Sequence, residues 1–97
     1  MTRPLFIPLL KEYFEAFERG KKTEEYRKYG PRWNENTCTP GREVILSCGY
    51  GKSRRMKARI IGTEVIAGHL APPAFERIYG RRNRCIAIRL EILGEAV

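Results

Sequence analysis

Long apolar runs are missing from this 97-residue chain. A helix that spans a bilayer needs about 20 consecutive apolar residues. The N-terminus also lacks the extended apolar region of a secretory signal, so the expectation is a soluble, cytoplasmic protein without a membrane partner. Histidine is nearly absent as well. His69, beside three cysteines with no C-x-x-C spacing, makes a poor zinc site. Cys38, Cys48 and Cys85 are odd in number, so they form no complete disulfide framework and are expected as reduced, mostly packed thiols. A catalytic Cys48 would need His69 as its base, the sole imidazole on offer. Neither a metal nor a cofactor is expected. Internal repeats and low-complexity segments are absent too, and the length suits one domain over residues 1–97.

Acids are in short supply: 11 Asp and Glu against 19 Lys and Arg leave a net charge of +8. The excess is clustered, in Lys52 to Arg59 and in Arg81 to Arg84, while Glu12, Glu15 and Glu18 gather near the N-terminus. Clustered cations interleaved with aromatics suit a polyanion, and nucleic acid is the obvious one. Tyr26, Tyr29, Trp33 and Tyr50 stand among Arg27, Lys28, Arg32 and Lys52. Cations for phosphates and rings for bases are what single-strand binding uses.

Leu9, Leu10, Tyr13, Phe14 and Phe17 recur at helical spacing, and Gly20 follows as a stop, which predicts a helix over 9–19 opened by Pro8. A short strand over 4–8 precedes it. From about residue 22 to 29 the chain reads as extended, with Thr23, Glu25, Arg27 and Tyr29 on one face and Glu24, Tyr26 and Lys28 on the other. Further strands are predicted over 43–48, over 55–66 with a bulge at Gly62, and over the last segment. There Ile86, Ile88, Leu90 and Ile92 point inward, and Cys85, Ala87, Arg89 and Glu91 outward. Residues 72–79 read as one or two helical turns. The long connection from Gly30 to Gly41, which holds Trp33, is expected to be functional or mobile.

Gly20, Lys22, Glu25 and Arg27 spell G-x-K-x-x-E-x-R. With a strand and helix before it and a Pro40-Gly41 turn opening a hydrophobic strand after it, this stretch resembles the signature of the ASCH family. The resemblance implies an α+β fold: a small PUA-like β-barrel of about five to six strands, with one main helix and a short second one. It also implies an RNA or nucleotide-like ligand in a basic cleft around the motif. Some ASCH proteins are amidohydrolases acting on acylated cytidine through a lysine, a threonine and a glutamate. Their lysine matches Lys22, but Glu25 occupies the threonine's position and Thr23 lies two residues off. Glu64 and Glu76 are the candidates for the distant glutamate. That departure speaks against the activity, and other ASCH proteins resemble nucleases or RNA-binding modules.

Gly51-Lys52-Ser53 mimics the end of a phosphate-binding loop, but Leu46 stands where that motif needs its first glycine. A basic tip remains. The expected ligand-binding set is therefore Lys22, Glu25 and Arg27, with Arg32 and Trp33 from the loop and Tyr50, Lys52, Arg54 and Arg55 from the tip. For an enzyme, a ribonuclease or a nucleoside hydrolase, Lys22 and Glu25 would carry the chemistry. Glu25 and Arg27 also have a plain structural reading as an ion pair on one strand face.

Overall fold

A computed structural model describes residues 3–95. Strand β1 (Leu5–Leu9) leads into helix α1 (Lys11–Glu18), then β2 (Glu24–Lys28), β3 (Glu43–Cys48) and β4 (Arg55–Ala67). A 3-10 turn (Gly68–Leu70) and helix α2 (Pro73–Tyr79) precede β5 (Arg84–Glu95). The five strands form one mixed sheet in the order β1-β3-β4-β5-β2, in which β1 and β3 alone pair in parallel. The sheet curls as a half-barrel around Ile7, Val44, Leu46, Ile60, Ile86 and Ile88, and Phe14 and Phe17 of α1 plug it. This is the α+β fold with one main and one short helix that the resemblance implies, its five strands forming a half-barrel with β1 and β2 left as edges.

Two details differ from expectation. Pro8 lies inside β1 and does not open α1, whose N-terminal flank is Leu10 without a side-chain cap. An edge strand tolerates a proline because its outward side needs no N–H donor, and β1 is an edge strand. The outward face of β5 is not polar throughout. Cys85 and Ala87 are both buried, Cys85 because the excursion between β4 and β5 folds back and sets Ala71 and Phe75 against it. Burial on both faces of a strand is a tertiary event that strand alternation cannot reveal. The bulge lies at Gly62, where a glycine inside the strand predicted it, with the register shifting between Ile60 and Gly62.

The end of α1 sets the position of the motif. Gly20 has φ +71°, in the left-handed region that favours glycine. Its N–H bonds the Phe17 carbonyl while the Lys21 N–H reaches back to Ala16 at 2.9 Å. This pair of bonds is a Schellman turn, which satisfies the last helical carbonyls and reverses the chain. The Lys22 N–H also bonds the Ala16 carbonyl, so the reversal carries Lys22 back over the helix that precedes it.

Candidate functional site

Strands β1 and β2 are the two edges of the sheet, and the gap between them holds a cavity of about 290 Å³. Lys22, Glu25, Tyr26 and Arg27 line one side, Leu9, Leu10 and Tyr13 another, and Phe75, Ile78 and Tyr79 of α2 roof it. Because the cavity follows the free edge of β2, it collects side chains from both faces of that strand. Three of the four motif residues thus share one cavity, and the fourth, Gly20, makes the turn that brings Lys22 there.

Glu25 is the only buried carboxylate among the described residues, 7% exposed. Arg27 holds it with Nε–H donating to Oε2 at 3.0 Å. A second guanidinium nitrogen lies 2.9 Å from the same oxygen and also donates to the Pro8 carbonyl at 2.7 Å. That bond runs from β2 to β1, so the Arg27 side chain bridges the two edges that no strand pairing joins. Trp33 backs the arrangement: its ring lies 4.9 Å from the Arg27 guanidinium and packs partly into the core. A desolvated charge pair of this kind is costly to break from one side, because the partner is left buried and unpaired.

Lys22 is held differently. Its Nζ sits 5.3, 5.5 and 5.2 Å from the ring centres of Tyr13, Phe17 and Tyr26, an aromatic enclosure within cation–π range. Glu25 Oε1 is 3.8 Å away, close enough for attraction but too long for a hydrogen bond. Among the described residues, then, none accepts a hydrogen bond from this ammonium, and its donors remain available to a molecule in the cavity. Nearby titrations are shifted upward. Burial, helped by the Glu24, Cys85 and Glu25 charges, raises Tyr26. Burial also pushes the Cys85 thiol up to about 11.

The remaining expected site residues lie elsewhere. Arg32 is exposed on the connection after β2, a segment knit together by Asn34, whose side chain bonds the Gly30 carbonyl and the N–H groups of Asn36 and Thr37. Tyr50, 82% exposed, and Lys52 stand on the β3–β4 tip, outside the cavity lining. Arg54 is engaged within the protein, bonding Glu15 at 3.2 Å and Glu18 at 2.6 Å over the Phe14 ring. The Glu15 hydrogen bond and the Glu18 charge raise its pKa further. Arg55 lies over Phe6 and donates to the Gly51 carbonyl. Tyr13, Phe75, Ile78 and Tyr79 were not anticipated as cavity walls. The sequence marks them as helical and apolar, and only the docking of α1 and α2 around β2 brings them to one place. Thr23, Glu64 and Glu76 do not line this cavity; Glu64 belongs to a smaller one of about 90 Å³ with Glu24 and Arg89. Among the described residues no helix is long and apolar enough to cross a membrane, and no three His, Cys, Asp or Glu side chains gather as metal ligands.

No family model and no curated protein matches the chain. Solved structures do. A point mutant of ZmASCH from Zymomonas mobilis superposes with a TM-score of 0.69 at 14% identity, over 93% of this chain and 70% of that one. The hypothetical protein PH0355 superposes at 0.64 with 18% identity, over 94% of this chain and all of the other. At such identities the likeness is one of fold: the chain has the architecture of an ASCH protein.

Proposed function

We propose that residues 1–97 form one ASCH-type domain that binds RNA or a nucleotide-like ligand in the cavity between β1 and β2. The observation that carries this reading is Lys22: an ammonium enclosed by three aromatic rings, with its donors unspent, beside a buried carboxylate. At about 290 Å³ the cavity falls at the small end of ligand pockets, a size suited to one planar ring system. Tyr13, Tyr26, Phe75 and Tyr79 offer it apolar and π surface, while Lys22 donates and Glu25 accepts. Arg27 and Trp33 hold Glu25 in place, and Arg32 stands on the adjoining loop. Titration of short single-stranded RNAs and modified nucleosides against wild type and Lys22→Met tests the reading. Loss of about 10–100-fold in affinity is expected, the equivalent of one charged hydrogen bond at ~1.5–3 kcal/mol. Equal affinity for both proteins would remove the cavity from the binding site.

The second reading is an enzyme, a ribonuclease or a hydrolase of an acylated nucleoside, and the nearness of Lys22 to Glu25 in one cavity favours it. A lysine that does chemistry must lose a proton during turnover, which arginine, with a pKa above ~12, cannot do. Wild type and Lys22→Arg are to be incubated with acylated cytidine and with short RNA, and the products followed by chromatography. We expect acylated cytidine to stay intact even with wild type, since Glu25 stands at the threonine position and Thr23 is outside the cavity. Deacylation by wild type that vanishes in Lys22→Arg would replace the binding reading with the catalytic one.

A further inference from the structure

The sequence offers two basic clusters, and the fold treats them unequally. Ion pairs among the described residues engage Lys22, Arg27, Arg54, Arg59 and Arg81. Two of these, Arg54 and Arg59, belong to the cluster at Lys52 to Arg59. Helix α1, moreover, stands between that cluster and the cavity. Its Tyr13 lines the cavity, while its Glu15 and Glu18 hold Arg54 on the other side. With Glu15 and Glu18 taken up by Arg54, and Glu12 beside Lys11, this helix offers no net cation along the path from tip to cavity.

The opposite end of the cavity is different. Helix α2, which roofs the cavity, carries exposed Arg77 and is followed by exposed Arg82 and Arg84. Lys28 lies opposite Cys85 in the β2–β5 register, beside Arg84, and the Tyr29 N–H bonds the Arg84 carbonyl. The Arg84 guanidinium covers the Tyr29 ring at 4.4 Å, at the start of the loop that carries Arg32. None of Lys28, Arg32, Arg77, Arg82 and Arg84 joins an ion pair among the described residues. The acids at this end are Glu76, paired with Arg81, and Glu35, which accepts a hydrogen bond from Tyr29.

We infer that the phosphate backbone of a bound single-stranded RNA runs over the end of the molecule bearing Lys28, Arg32, Arg77, Arg82 and Arg84, and not over the Tyr50–Arg55 tip. The inference rests on the RNA-binding reading of the cavity. Each phosphate neutralised by a protein cation releases condensed counterions and contributes about −0.7 to the slope of log affinity against log salt. The slope for a short oligouridylate is to be measured for wild type, for Arg77→Ala/Arg82→Ala and for Lys52→Ala/Lys57→Ala. All four side chains are exposed and outside the ion pairs, so melting temperatures should match and serve as the folding control. The first double variant should flatten the slope by about 1.4, two contacts' worth, and the second should leave it unchanged. A flattened slope in the Lys52/Lys57 variant alone, or in neither, would overturn the placement while leaving RNA binding intact. Absence of any salt-dependent binding by wild type would instead sink the RNA reading and this placement with it.

Discussion

At Lys22 a turn and three rings act on one ammonium. The Gly20 turn sets where its backbone goes, and Tyr13, Phe17 and Tyr26 set where its side chain rests. The turn and the motif spacing are local and were legible in the sequence. The enclosure was not, since it joins a helix to a strand edge. The same divide holds for Cys85, expected on an outward face and found fully buried. Its pKa, raised to about 11 from an ordinary 9.0, has a consequence for stability. The unfolded chain releases the thiol proton first as pH rises, so the stabilisation from the neutral thiol is complete below about 9 and is lost as pH climbs towards 11. Urea unfolding at pH values across that window should show wild type losing stability more steeply than Cys85→Ala. Parallel curves would mean that the thiol is not desolvated. Below the window, iodoacetamide should modify Cys85 only after unfolding, because the thiolate is the nucleophile and burial suppresses it.

Apolar patterning, read with the turn residues, located β1 to β4 and α1 to within a residue or two. It did not reveal how the segment between β4 and β5 closes on itself. That closure depends on Gly68, where an added Cβ would stand 2.3 Å from the Asn83 carbonyl oxygen and 3.0 Å from those of Gly80 and Arg81. These are backbone atoms, so the clash cannot be relieved by a rotamer change. Gly68→Ala should destabilise the protein by about 1–3 kcal/mol, the usual range for overpacking, and should loosen α2 from its place over the cavity. Gly62→Ala is the contrast: the bulge there has open space around the missing Cβ. Its effect should stay within about 0.5 kcal/mol. Equal melting temperatures for the two variants would refute this account of the closure. Trp33 was expected at the ligand and is found between Arg27 and the core. Being half-buried, it should lose stability on Trp33→Ala, though less than the ~3–5 kcal/mol of a fully enclosed aromatic.

Across the whole molecule, exposed cations lie outside the cavity lining while Lys22, Glu25 and Arg27 lie within it, and that division yields a test by linkage. A ligand that binds the folded chain alone stabilises it by about 2.7 kcal/mol at a hundredfold excess over its Kd. In a domain of this size each kcal/mol moves the melting temperature by roughly 4–8 °C, so a saturating oligouridylate should raise it by roughly 10–20 °C at low salt. Two sources of affinity respond differently to salt. At about 1 M the screening length falls to ~3 Å, which removes phosphate contacts made by exposed arginines. On the proposed reading, a base seated against Tyr26 and Phe75 and bonded to Glu25 would be sheltered from the ions and would keep its share. The shift should therefore shrink sharply at high salt without reaching zero, and Lys22→Met should reduce what remains further. A free nucleoside, lacking phosphates, should give a smaller shift that is nearly independent of salt. No shift with either ligand at low salt would count against the cavity and the basic end alike. A shift in wild type that disappears completely at high salt would leave the basic surface as the whole binding site and the cavity without a ligand.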